Sequence, residues 1–247
     1  MVVRRTVERK LRIKIDGNVK LDEIVERAHE RDFIIHPEVN EIFLFGSEIH
    51  SFGLGPSDAG EEPGVEYTMS NKFVRNINLA RHFHSNLPVL IHMKTIGGLW
   101  NDGMAIYDAI KTSPMPVTIL NYTQASSMSS LILLAANKRV MMPHSYFMFH
   151  DGSWSLDGTK KQVLSAVEFD KKTDCMDNIY TEALKEGGKY KNLDENKIRK
   201  MLRNQMDKKE EVYLTAKEAV EWGFADGVFD GNWNNLLKYT STQRKRK

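Results

Sequence analysis

Three features of this chain predict an α/β fold built on a stacked, largely parallel strand core. A strand–turn–helix unit recurs, beginning at Glu41, at Val89 and at Val117. The strands VLIHM (Val89–Met93) and MPVTILNY (Met115–Tyr122) are continuous apolar runs, as expected of strands buried on both faces. Helix-length segments separate them, which suits right-handed crossovers between parallel neighbours rather than hairpins. A chain of 247 residues is long enough for one sizeable domain of this kind.

Residues 1–37 mix charge with scattered apolar positions and read as an N-terminal appendage. LRIKI (Leu11–Ile15) alternates like a strand, and LDEIVERAHER (Leu21–Arg31) places Leu21, Ile24, Val25 and Ala28 at helical spacing. EIFLFGSEI (Glu41–Ile49) is a strand that ends at Gly46. His50–Gly64, with four glycines and two prolines, is expected to be a surface loop. From Thr68 a helix puts Phe73, Ile77, Ala80 and Phe83 on one face. The strand after Pro88 stops at Gly97-Gly98, and a helix from about Asn101 to Lys111 follows. After Tyr122 the stretch TQASS reads as a turn into MSSLILLAAN, a helix apolar on nearly every side and therefore central. Val140–Met142 and Tyr146–His150 are short strands either side of the Pro143-His144 turn. A long helix is expected over 159–185, stopped by Gly187-Gly188. Asp194 caps the next helix. TAKEAVEWG carries Thr215 as N-cap, Glu218 at the capping-box position and Gly223 as stop. The polar tail from Asn234 is expected to fray.

Hydrophobic residues make up 41% and charged residues 28%, with a net charge of +2. That charge is too small to argue for nucleic acid, and the basic ends (Arg4, Arg5, Arg9, Lys10 and Arg244–Lys247) read as solvated tails. No apolar run is long enough for a membrane span, and the N-terminus has no signal-like apolar region. The single cysteine, Cys175, has no internal disulfide partner, which fits a reducing, cytoplasmic setting.

Candidate chemistry concentrates in Val117–Ser153. Ser126 and Ser127 sit where a strand turns into a helix, so free N–H groups and the helix dipole favour an anion there. Ser129 and Ser130 fall inside the helix, where hydroxyls bond back to preceding carbonyls. His150 ends an apolar strand. As a general base it must reach a serine hydroxyl at hydrogen-bond distance, with an acid holding its other nitrogen. Asp151, Asp207, Glu210 and Glu211 are the candidate acids. Each has a plainer reading: a serine cap, a core histidine, a solvated charge run. Gly97-Gly98 permits close backbone approach to an oxyanion, or is simply a tight turn. No phosphate-binding glycine motif is present, and His82, His84 and His92 have no metal-site spacing with carboxylates, so no metal or organic cofactor is expected.

Taken together and in order, FLFGSEI, GGLWNDGMAIYDAI, QASSMSSLILLAANKRVMMPHSYFMFH and YLTAKEAVEWGFADGV resemble the motifs of the ClpP-type serine peptidases, the proteolytic subunits of Clp protease. Several departures point to a divergent or phage-type member. The resemblance implies a ClpP/crotonase-like stacked ββα superhelix with a protruding handle helix, about 159–185. It places the protease domain at 38–233, between an appendage at 1–37 and a basic tail at 234–247. It puts Ser127 in the nucleophile's position, His150 in the base's, and the Gly98 and Met128 amides in the oxyanion hole. Glu211 falls where the family has an aspartate, with Asp207 as the alternative under a gapped alignment. Gly152, Ser153 and Trp154 take the place of the strand that holds substrate. KTIGG lacks the proline that normally precedes the glycines. The resemblance further implies stacked, heptameric homo-oligomeric rings, a polypeptide substrate and an AAA+ unfoldase partner. Two rival expectations remain: an inactive ring subunit of the same fold, and a crotonase-like acyl-CoA enzyme.

Overall fold

A computed structural model describes residues 33–35, 40–45, 64–152, 158–173 and 175–246. The expected strand Leu11–Ile15, the helix Leu21–Arg31, loop residues 50–63, and Ser153 and Trp154 lie outside the described residues.

The described chain is a mixed α/β structure around one mostly parallel sheet. The strands are β1 Phe33–Ile35, β2 Asn40–Phe45, β3 Val89–Thr95, β4 Val117–Ser126, β5 Lys138–Met141, β6 Tyr146–His150, β7 Glu211–Thr215 and β8 Gly227–Val228. The main path runs β1-β2-β3-β4-β5-β8, and β6 pairs with both β4 and β7. Only β1–β2 and β6–β7 are antiparallel. Phe33–Ile35, assigned by sequence to the appendage, is thus an edge strand of the sheet itself.

Helices α1 Tyr67–His84, α2 Trp100–Lys111 and α3 Met128–Ala135 follow β2, β3 and β4, giving the expected strand–helix repeat. Glu66 caps α1 by accepting from the Thr68 and Met69 amides, and Met69, Phe73, Ile77 and Ala80 form its buried stripe. Every residue of α3 is buried, which explains its all-round apolar sequence. The strands are indeed covered on both faces. Ile42, Ile91 and Ile119 align in register within the main core, whereas Leu90, Leu120 and Val140 face a second cluster that includes Leu236.

The region expected as one helix over 159–185 contains α4 Lys160–Thr173 and α5 Cys175–Glu186. It is followed by α6 Glu195–Lys209, capped by Asp194, and α7 Ala216–Trp222. The Thr215–Glu218 capping box and the left-handed Gly223 are as read from the sequence.

Two expectations are corrected. TQASS is not a turn: Thr123–Ser126 continue β4, because this second half of the strand has its own partner. Gln124, Ala125 and Ser126 pair with Tyr146, Phe147 and Met148 of β6, while Thr118–Asn121 pair with β5. Nor does the tail fray. It forms α8 Trp233–Leu236 and α9 Ser241–Lys245 and docks on the sheet through polar groups, which hydropathy does not register. Thr118 donates to the Leu236 carbonyl, and the Asn137 amide donates to the carbonyls of Gln243 and Arg246. The largely buried Arg246 lies 2.7 Å from Asp226 and 2.9 Å from Glu186, and Glu186 in turn accepts from the fully buried Arg139. Removing Arg246 leaves Asp226 without its paired cation and Glu186 with Arg139 alone. Arg246→Ala is therefore expected to cost about 3 kcal/mol, read as a lower urea midpoint with an unchanged slope.

Candidate active site

The site lies where β4 gives way to α3. The chain reverses at Ser127 with φ 52° and ψ −126°, a left-handed conformation rare outside glycine. Such strain costs on the order of 1–3 kcal/mol and persists only where the surroundings over-determine it. Here they do. The Ser127 N–H donates to the Met148 carbonyl of β6, and the Ser126 N–H donates to the Ser129 hydroxyl. Ser129 also bonds the Thr95 carbonyl, fastening the end of β3 to the same turn. A sharp strand-to-helix turn of this kind lifts its side chain clear of the backbone.

This geometry distinguishes the four serines. Ser129 and Ser130 bond back to the carbonyls of Ser126 and Ser127. The Ser126 hydroxyl donates to Gln124. The Ser127 hydroxyl makes no capping bond to α3. Instead its Oγ lies 2.8 Å from His150 Nε2. The two plain readings, serine cap and core histidine, are therefore not the roles these side chains take. The pairing of Ser126 with Met148 sets the approach, since it carries the end of β6 past the turn. Behind β6, Phe147 stacks on Phe224 at 4.5 Å and Phe149 packs against Tyr180, Trp222 and Phe224. The buried Tyr180 hydroxyl pairs with Ser130, tying α5 to the helix below the turn.

Gly97 and Gly98 have φ of 99° and 153°. The Gly97 carbonyl accepts from Val65 N–H and the Leu99 N–H donates to the Val65 carbonyl, so Val65 forms a parallel bridge with Gly98. The Gly98 N–H takes no part in that bridge. Gly97 lies against the turn so closely that a Cβ there would stand 2.5 Å from the Ser126 carbonyl oxygen and 3.0 Å from the Met128 nitrogen. The Met128 N–H is the first amide of α3, among those that a helix cannot satisfy internally. The two-glycine loop and the first amide of α3 thus adjoin a turn whose serine hydroxyl is paired to an imidazole, and a serine–histidine pair of this kind is suited to nucleophilic attack on a carbonyl.

The candidate acids part company. Asp207 is exposed in the last turn of α6. Glu210 ends that helix with φ 57°. Asp151 is salt-bridged to Arg203, whose Nε also donates to Asp177 at 2.6 Å. Glu211 stands directly opposite His150 in the β6–β7 register. Its carboxylate, however, accepts from the Tyr213 hydroxyl at 2.6 Å. Gly152 is exposed with φ 77°. Tyr213 and Arg203 were not singled out from the sequence. EVYLT alternates cleanly, and that alternation places Glu211 and Tyr213 on one exposed face. Arg203 is one of many charges on α6 and carries no comparable signal.

Fold and site together define an α/β protein with a serine–histidine pair at a strained strand-to-helix turn beside a two-glycine loop. The Clp protease family pattern matches residues 62–232, more than half of the chain. The chain belongs to the Clp protease family. It is 30% identical over 173 residues to the ATP-dependent Clp protease proteolytic subunit 2 of Treponema denticola, covering 69% of this chain and 78% of that protein. It is 27% identical over 174 residues to the ATP-dependent Clp protease proteolytic subunit of Deinococcus radiodurans, covering 69% and 79%. The family supports peptidase activity. Among the described residues, no helix is long and apolar enough to cross a membrane.

Proposed function

We propose that the protein is a cytoplasmic serine endopeptidase that cleaves unfolded or small polypeptides inside a homo-oligomeric chamber. The observation that carries this is the 2.8 Å approach of Ser127 Oγ to His150 Nε2 at a strained turn, with no competing capping bond. In this reading the Ser127 hydroxyl donates to Nε2 and attacks the peptide carbonyl as its proton passes to the imidazole. The oxyanion accepts from the Gly98 and Met128 amides. His150 then returns the proton to the leaving amine, and water repeats the sequence on the acyl-enzyme. Glu211 is the acid for the imidazolium, from the position across the β-ladder. The peptide chain lies against the segment beginning at Gly152 as an added strand. The proteolytic-subunit relatives support stacked rings, heptameric in this reading, with an AAA+ unfoldase supplying the ATP dependence named in those relatives. No cofactor is needed for the cleavage itself.

One observation favours a second reading, an inactive ring subunit: Glu211 is bonded to Tyr213 rather than to His150. The family match does not favour the acyl-CoA reading. A fluorophosphonate probe separates the first two. Labelling of the assembled protein, mapped by peptide mass to Ser127, is the expected result; an assembled ring that takes no label is the inactive subunit.

A further inference from the structure

β6 and β7 run antiparallel, so residues directly opposite share a face with Cβ atoms roughly 4.5–5.5 Å apart. His150 and Glu211 are such a pair, and Tyr213, two residues along and opposite Met148, projects on the same face. Val212 and Leu214 turn inward and are buried, which leaves the strand no freedom to rotate Glu211 to the other side. Between these neighbours the Glu211 carboxylate has two partners within reach of a side-chain rotation, the Tyr213 hydroxyl and the His150 ring. In this structure it takes the hydroxyl, at 2.6 Å, and no hydrogen bond or ion pair joins it to His150.

Tyr213 is itself held. Its ring lies 5.7 Å from that of Tyr146, and the Tyr146 hydroxyl bonds Gln124, which also accepts from the Ser126 hydroxyl. The contacts run from the serine turn along β6 to Tyr213 and Glu211, and the tyrosine hydroxyl is presented to the carboxylate from a braced ring. The bond to Glu211 also raises the tyrosine's pKa above its ordinary value, in keeping with the hydroxyl acting as the donor.

We propose that Tyr213 is a positioning residue that holds Glu211 away from His150, so that the acid engages the imidazole only when the Tyr213–Glu211 hydrogen bond opens. This rests on the serine-peptidase reading. It adds a resting state with the serine–histidine pair assembled and the acid set aside. Opening breaks one charge-assisted hydrogen bond at an exposed position and makes another, and the engaged arrangement is the minor one, about a tenth of the molecules. Removing one such bond moves the balance by roughly fivefold to tenfold.

The test is Tyr213→Phe in the full-length, assembled protein. It deletes the hydroxyl and keeps the ring against Tyr146, and Tyr213 is 55% exposed, so the fold is retained, as a thermal melt checks. With a short fluorogenic peptide, kcat is expected to rise by roughly fivefold with KM unchanged. The fluorophosphonate labelling rate is expected to rise in step. In Glu211→Gln both are low, and Tyr213→Phe on that background restores nothing. A kcat that is unchanged or lower in Tyr213→Phe overturns the proposal, as does an equal rise in the Glu211→Gln background. Failure of the underlying reading has a different mark: hydrolysis and labelling that survive Ser127→Ala.

Discussion

Ser127→Ala is expected to lower kcat for peptide hydrolysis by about five to six orders of magnitude and to abolish fluorophosphonate labelling. The size of the effect follows from the site. Ser127 is the serine whose hydroxyl meets His150; those of Ser126, Ser129 and Ser130 are committed to Gln124, to Thr95 and Ser126, and to Ser127 and Tyr180. None can take over without dismantling the turn. The comparison variant is Ser129→Ala. It removes a fully buried hydroxyl that accepts from the Ser126 amide, so it is expected to cost about 1–3 kcal/mol of stability and to keep its label. Stoichiometric labelling of Ser127→Ala would sink the assignment. Loss of label in Ser129→Ala at a temperature where the protein remains folded would shift the role to the neighbouring serine.

Gly97→Ala is expected to lower kcat by roughly two to three orders of magnitude with the fold intact. Alanine at φ 99° is strained before any contact is counted. Its methyl would also press on the Ser126 carbonyl at 2.5 Å, the Ser127 Cβ at 2.9 Å and the Met128 nitrogen at 3.0 Å. None of these is the free end of a flexible chain: they are the turn itself. Relief comes by moving the glycine loop off the turn, which carries the Gly98 amide away from the proposed oxyanion site. The effect should therefore fall on kcat more than on KM, because a donor aimed at the transition-state oxygen matters little to the bound ground state. Steady-state kinetics with active-site titration measure this. A kcat within about twofold of wild type would show that the two-glycine loop supplies no oxyanion donor.

Much of the element order follows from pattern along the chain. The buried strands, the all-apolar helix after Ser127 and the Thr215–Glu218 capping box are each written within a dozen residues, because hydrophobic period and cap chemistry act locally. The same is true of the glycines, whose need for positive φ is a property of one residue. The misread segments depend on distant partners. Thr123–Ser126 has the composition of a turn and becomes a strand because β6 returns to pair with it. The tail has the composition of a frayed end and is held by Thr118, Asn137 and Glu186, all far away in sequence, together with Asp226.

The site divides in the same way. Residue types and their order were enough to narrow the chemistry to a serine at a strand–helix turn, a histidine at a strand end and a pair of glycines. They left Ser126 and Ser127 equivalent on local grounds, since both stand where a cap would. The family resemblance singles out Ser127, and the fold supplies the physical difference, giving Ser127 the strained backbone and His150, and Ser126 the side chain of Gln124. The acid is the clearest case. Asp207, Glu210 and Glu211 belong to one run of charge and Asp151 follows the histidine directly, so residue type does not choose among them; the resemblance points to Glu211, and antiparallel pairing of β6 with β7 puts Glu211 alone of the four across from His150. Which partner its carboxylate then takes turns on a side-chain rotation and a single hydrogen bond. That balance is set by three-dimensional neighbours and leaves no mark in the order of residues.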